Sequence, residues 1–112
     1  MSQITSHILD TSKGKAVAGV RVTLYVGQND EWTAICSGVT NEDGRVKDLI
    51  KSSEPLQVGT YKLRFETKEY FDAHQIPTFY PMIEIIVDIQ TTEHFHIPLL
   101  LNPFGYSTYR GT

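Results

Sequence analysis

The chain has 112 residues, 10 basic against 13 acidic, for a formal net charge of −3. That length holds one core, so the expectation is a single domain over residues 1–112, and the slight acidity without any basic stripe excludes a nucleic-acid partner held by its phosphates. Cys36 is the sole cysteine, which excludes an intrachain disulfide and a paired-cysteine zinc site. No stretch approaches the roughly 20 apolar residues of a spanning helix, and Met1 to His7 has neither a basic nor an apolar leader region. The expectation is therefore a soluble cytoplasmic protein with no membrane contact.

In chain order, Ile4 to Leu9 is a short candidate strand that puts His7 on the side of Thr5 and Leu9. Val20, Val22, Leu24 and Val26 alternate with Arg21, Thr23 and Tyr25, the period of a half-buried strand. Gly27-Gln28-Asn29-Asp30 turns the chain, as a hairpin of moderate length, into a second strand where Trp32, Ala34 and Cys36 share one side. On that pattern Cys36 is a buried small hydrophobe rather than a nucleophile. Asn41-Glu42-Asp43-Gly44 is a turn in which Gly44 is free to take positive φ, and Arg45 to Asp48 follows as a short strand.

Tyr61, Leu63 and Phe65 alternate with Lys62, Arg64 and Glu66 in the clearest strand. Thr67 to Gln75 is the one helical stretch: Thr67 offers an N-cap, Tyr70, Phe71 and His74 recur at helical spacing, and Pro77 forbids continuation. Ile83, Ile85, Val87 and Ile89 line the next strand. Phe95, Ile97 and Leu99 line another, with His94, His96 and Pro98 opposite, and Pro98 predicts an edge or a bulge because it cannot donate to a ladder. Asn102-Pro103-Phe104-Gly105 turns into a last short strand, Tyr106 to Arg110. Short strands, tight turns and one short helix predict an all-β antiparallel sandwich.

The histidines carry the chemistry that pattern alone can suggest. His94 and His96 share a strand face, where spacing alone reads them first as a solvated outer surface, and after that as two ligands of a metal site lacking a specified third or as an acid–base pair near neutral pH. His7 reads as a surface residue or a catalytic one, and His74 as a cation suited to a helix end. Arg45 and Arg110 read as exposed strand residues, and Asp10 and Asp43 as turn residues bonding nearby backbone. No Ser-His-Asp order, phosphate-cradling glycine loop or zinc-protease helix motif is present.

Both ends of the chain narrow these alternatives. Ser6-His7-Ile8-Leu9-Asp10-Thr11 followed by Gly14-Lys15, Thr40 to Arg45 with Asp43-Gly44-Arg45, Gly59-Thr60-Tyr61, and Pro98 through Thr112 together resemble the transthyretin-related proteins, whose hydrolase members act on 5-hydroxyisourate. The resemblance implies a transthyretin-like sandwich of two four-stranded sheets with a short helix, and a homotetramer built as a dimer of dimers around a channel. It implies hydrolysis of 5-hydroxyisourate, the product of urate oxidation in purine catabolism, to 2-oxo-4-hydroxy-4-carboxy-5-ureidoimidazoline, with no metal or organic cofactor. Carried over by position, it implies catalytic roles for His7, Arg45 and His96, and substrate contacts from His7, Arg45, Ser107, Tyr109, Arg110, Gly111 and Thr112.

Those residue types suit the reaction. Opening an oxygen-rich planar ring needs water activated at a carbonyl and a proton delivered to the departing nitrogen, work for two histidines, with His7 taken as the base and His96 as its partner. Arg45 supplies a planar donor fork for developing charge on oxygen. Two departures stand out: Ala16 replaces the proline usual after Gly14-Lys15, and Thr112 replaces the terminal serine, keeping the hydroxyl and free carboxylate but adding a methyl. The competing reading is a small-ligand carrier of the kind vertebrate transthyretin is for thyroid hormone. The Tyr109-Arg110-Gly111-Thr112 ending and the His, Arg, His set favour the enzyme.

Overall fold

Among residues 2–112, which the computed structural model describes, the alternating pattern produces nine strands and one helix. They are β1 (Ile4–Asp10), β2 (Lys15–Ala16), β3 (Arg21–Gln28), β4 (Glu31–Val39), β5 (Arg45–Val46), β6 (Gly59–Phe65), α1 (Thr67–Ala73), β7 (Ile83–Ile89), β8 (Phe95–Asn102) and β9 (Gly105–Thr108). One sheet runs β2-β1-β8-β9, with β5 also against β1, and the other runs β4-β3-β6-β7. All pairs are antiparallel except β1 with β8, which is parallel over the whole length of β1. The inward residues of the two sheets, among them Ile4, Ile8, Val22, Leu24, Leu63, Phe65, Ile97, Leu99 and Leu101, form one buried core. Each such side chain contributes about 1.5–3 kcal/mol on leaving water.

Several local expectations change. The β3–β4 hairpin is tight rather than of moderate length: Gln28 pairs with Glu31, and Asn29 and Asp30 both take positive φ, as a two-residue turn matched to strand twist requires. Cys36 does not share a face with Trp32 and Ala34. Leu24 pairs with Cys36 and Tyr25 with Ala34, so Ile35 is an extra residue that reverses the faces of β4 at that point. Cys36 turns towards the core, half-buried, while Trp32 lies outside, where the Lys62 ammonium sits 4.7 Å from its ring.

The helix begins after Glu66, not after Thr67, and without a side-chain cap; the Thr67 hydroxyl is buried and unbonded. It ends at Ala73, and Gln75, at φ 56°, turns the chain before Pro77. Pro98 lies in an internal strand. Its carbonyl faces β9, where regular pairing stops at Leu99 with Thr108 and resumes as a single bridge from His96 to Gly111, so the missing N–H falls in a gap in the ladder. The candidate strands at 45–48 and 106–110 shorten to β5 and β9.

Asp10, fully buried at the end of β1, ties the first sheet to the helix. Its Oδ1 accepts from the Ser12 N–H at 2.9 Å, the Ser12 hydroxyl at 2.5 Å and the Lys13 N–H at 3.2 Å, and its Oδ2 accepts from the Tyr70 hydroxyl at 2.7 Å. Burial alone raises a carboxyl; here the bonds from Ser12, Tyr70 and Lys13 outweigh it and hold Asp10 below its ordinary value. The Tyr70 phenol is pushed up to about 12 by burial and by that same bond. Because the folded carboxyl lies below the unfolded one, its stabilisation is complete above the ordinary carboxylate range and is lost as pH falls through the folded value. Asp10→Asn should cost about 1–3 kcal/mol at neutral pH, and the gap from wild type in urea midpoint should close in strongly acidic buffer; a gap that stays constant there would remove the ionised carboxylate from the account.

Candidate active site

The outward face of β1 carries Thr5 and His7, and its two neighbours bring the other polar groups to them. On one side the parallel register sets Thr5 beside His96 and His7 beside Pro98. On the other side the antiparallel register sets His7 beside Arg45. Arg45 reaches that place through the Asn41–Gly44 turn, which is closed by the Asn41 side chain accepting from the N–H groups of Asp43 and Arg45 at 2.9 and 3.0 Å. Gly44 takes φ 75°, its carbonyl accepts from the Ile8 N–H at 2.8 Å, and a Cβ there would lie 2.5 Å from the Ile8 carbonyl oxygen. No other residue fits that turn without moving β5 off β1.

A cleft of about 420 Å³ opens on this face, lined by Thr5, Ser6, Arg45, Val46, Lys47, Asp48, His94, His96 and Thr112. The His7 and His96 ring centroids are 6.4 Å apart, and those of His94 and His96 are 6.5 Å apart. The Thr5 hydroxyl lies 2.8 Å from His94 Nε2 and 2.7 Å from His96 Nδ1. Gly111 closes over His96: its N–H donates to the His96 carbonyl at 2.8 Å, and a Cβ on Gly111 would come within 2.9 Å of the ring's Cδ2. Arg45 is exposed and makes no ion pair among the described residues. No cluster of three or more His, Cys, Asp or Glu side chains is placed to hold a metal among the described residues.

The electrostatics favour neutral imidazoles. Partial burial lowers the pKa of His7, and the Arg45 charge lowers it further, while a backbone hydrogen bond and the charge of Asp43 oppose this without cancelling it. His96 is lowered by partial burial, then by Arg45, His7 and His94. Two uncharged rings beside one uncompensated guanidinium can accept a proton from water and still attract an electron-rich ligand.

Of the residues expected from the sequence, Arg45, His96 and Thr112 meet at the cleft, with His7 beside His96 and Gly111 packed on it. The other tail residues stand elsewhere. Ser107 is exposed on β9 opposite Leu100. Tyr109 and Arg110 line a separate cavity of about 370 Å³ with Ile85 to Ile89, Phe95, Ile97 and Thr108, and Arg110 pairs with Glu93 above the Phe95 ring. Thr5 and His94 join the cleft although the sequence reading placed no role on Thr5 and left His94 open. Their positions depend on the β1–β8 register, which spans some ninety residues of sequence. The Thr5 position on the His7 side of β1 was the only local signal. His74 is confined to the helix end, donating from Nδ1 to the Tyr70 carbonyl at 2.9 Å.

The sequence pattern of the HIUase/Transthyretin family matches residues 4–111. The chain belongs to this family. Within it, a probable 5-hydroxyisourate hydrolase of Caenorhabditis elegans is 43% identical, over 99% of this chain and 82% of its own. The solved 5-hydroxyisourate hydrolase of Klebsiella pneumoniae is 36% identical and covers 97% of this chain and 98% of its own, with a TM-score of 0.83. Sea bream transthyretin, solved in complex with thyroxine, covers 99% and 96% with a TM-score of 0.91 at 29% identity. Backbone shape thus sits nearer the transthyretin while sequence sits nearer the hydrolase, so the residues of the cleft must decide between them.

Because Arg45 depresses both rings, Arg45→Ala should raise the titration midpoints of His7 and His96 together, followed by NMR of the histidine ring protons, while both wild-type midpoints lie below the ordinary imidazole value. Midpoints that ignore the substitution would separate Arg45 from the histidines.

Proposed function

We propose that this chain hydrolyses 5-hydroxyisourate to 2-oxo-4-hydroxy-4-carboxy-5-ureidoimidazoline. The observation that carries the reading is the convergence of His96, Arg45 and Thr112 on one cleft with His7 alongside. A thyroxine-type carrier has no need of two neutral imidazoles beside a bare guanidinium. A ring-opening hydrolase needs both. The cleft, at about 420 Å³, suits a small planar heterocycle.

In the reaction a neutral histidine takes a proton from water as its oxygen bonds to a ring carbonyl carbon. The resulting oxyanion is met by the Arg45 fork, whose backbone the Asn41–Gly44 turn carries to the cleft. The carbon–nitrogen bond then breaks and the departing nitrogen receives a proton from a protonated histidine, so no proton is lost overall. Gly111, packed on the His96 ring, limits its rotation, and Thr112 lines the same cleft.

The reading extends to residues 1–112 as one hydrolase domain, needing no cofactor, that works as a homotetramer, a dimer of dimers, in the cytoplasm. What supports the assembly is the open outward face that carries the cleft, together with unpaired strand edges, β7 and β9 among them. Tyr109, Arg110 and Ser107, which stand outside the cleft of their own chain, fit substrate-binding roles through that assembly. Among the described residues no helix is long and apolar enough to cross a membrane.

The test follows the absorbance of 5-hydroxyisourate generated in place by urate oxidase, with spontaneous decay as baseline. The wild-type chain should accelerate decay. His96→Asn and Arg45→Ala should each reduce the rate by about 10²–10⁴ without unfolding the sandwich. Deleting residues 109–112 should cripple activity in a chain that still folds, and a chelator should leave the rate unchanged. Decay unaltered by folded wild-type protein would transfer the reading to a carrier of small ligands.

A further inference from the structure

Two groups at the cleft have no part in the mechanism above. Thr5 lies between two histidine nitrogens, and its hydroxyl has one hydrogen to give and lone pairs to accept with. It can therefore donate to only one ring at a time. If it donates to His96 Nδ1, then His94 Nε2 must carry a hydrogen and donate to it, and His96 holds its own hydrogen on Nε2. If it donates to His94 Nε2, His96 Nδ1–H donates to Thr5, and His96 Nε2 presents a free lone pair. The first arrangement, with His94 protonated, is reached from the second when His96 Nε2 gains one proton from outside and one proton passes along each link of the chain, so the two exchange His96 between a base and an acid.

We propose that Thr5 and His94 are positioning residues that hold the His96 ring and relay its Nδ1 proton, so that His96 serves first as base and then as acid. The inference rests on the hydrolase reading. His96 Nε2 takes the proton of the attacking water, its Nδ1 proton moves to Thr5 Oγ1, and the Thr5 hydroxyl hydrogen moves to His94 Nε2. His96 ends this step neutral, and the positive charge rests on His94. When the carbon–nitrogen bond breaks, the chain runs in reverse and His96 Nε2–H protonates the departing nitrogen. One carbon–oxygen bond forms, one carbon–nitrogen bond breaks, and each proton is accounted for.

The charges around the cleft give the relay its purpose. A positive charge kept on His96 faces Arg45 from β5 and His7 from β1, both of which oppose it. His94 precedes β8 and is exposed, so water solvates a charge placed there. Lys47, Asp48 and Thr112 complete the lining. Among the described residues the hydrogen bonds that would drain a proton from His96 have no counterpart on His7, whose partner is backbone at Asp43. This geometry makes His96 the base and leaves His7 to hold the substrate with Arg45, the reverse of the order expected from sequence.

The test uses the full chain with Thr5→Val, Thr5→Ser, His94→Ala and the Thr5→Val/His94→Ala pair. Thr5→Val, which keeps the shape and removes the hydroxyl, should lower kcat by about tenfold to a hundredfold, the cost of losing a group that orients a working histidine, with KM changed less than about threefold. Thr5→Ser should restore most of kcat, and the acid limb of the kcat profile should move in Thr5→Val. The double variant should be no slower than the slower single one. Full activity in Thr5→Val, a Thr5→Ser as slow as Thr5→Val, or additive losses would overturn the relay. Nitrogen NMR of the rings supplies a readout free of activity. In wild type, His94 and His96 should titrate as a coupled pair with Thr5→Val uncoupling them, and independent wild-type titrations would overturn the relay whether or not the chain is a hydrolase. Coupled titrations in a wild-type chain with no effect on 5-hydroxyisourate would support the hydrogen-bonded chain and overturn the hydrolase reading instead.

Discussion

The site depends on one strand being held from both sides. β1 takes β8 along one edge in parallel register and β5 with β2 along the other, so Arg45 and His96 are each placed by a pairing partner on β1. Thr5 fixes His96, and His7 fixes Arg45. A slip of one residue in either pairing would send the polar side chains into the core and Ile4 and Ile8 outward. The core therefore enforces the register, and the register builds the site. The same strand ends in Asp10, whose bonds to Ser12 and Lys13 close the turn after it and whose bond from Tyr70 anchors it to the helix.

The outer faces of the two sheets treat charge differently. On the second sheet two cations are matched: Lys62 meets Glu84 at 3.1 Å between the Tyr25 and Trp32 rings, and Arg64 meets Glu66 at 2.7 Å. Those pairs quench their own fields and present nothing to a ligand. On the first sheet Arg45 stands without a carboxylate partner among the described residues and depresses two imidazoles instead. A carboxylate beside Arg45 would relieve the histidines and improve the isolated fold, but it would also occupy the donor fork and raise the histidine pKa values. Leaving the guanidinium unpaired keeps both the anion attraction and the neutral bases.

Alternation alone marks most of the strands and the sandwich, because burial on one face writes a period of two into the sequence. Ile83 to Ile89 and Tyr61 to Phe65 are read this way without error in their facing. The failures occur where backbone geometry breaks the period without changing composition. Ile35 looks like one more strand residue, yet as a bulge it separates Cys36 from Trp32. Pro98 looks like an edge marker, yet it sits inside the sheet opposite a gap. At the site, His7, Arg45 and His96 are legible through the family's motifs. Thr5 and His94 are not, because a threonine two residues before a histidine has no chemistry until a strand some ninety residues later is laid beside it.

The better superposition on a thyroxine-bound transthyretin than on a hydrolase follows from where the two kinds of information reside. Backbone position is set by the inward residues, among them Ile4, Ile8, Leu99 and Leu101, which form the buried core. Catalysis is set by outward residues that the core does not feel, so they can change while the sheets stay within the same outline. Only Gly44 and Gly111 cross this division. Gly44 must lack a side chain for β5 to reach β1, and Gly111 must lack one for the tail to lie on the His96 ring. They are backbone features that set where Arg45 and His96 stand. Each is a requirement of backbone placement, and each acts on the strands that bear the cleft: Gly44 on the meeting of β5 with β1, Gly111 on the meeting of the tail with β8.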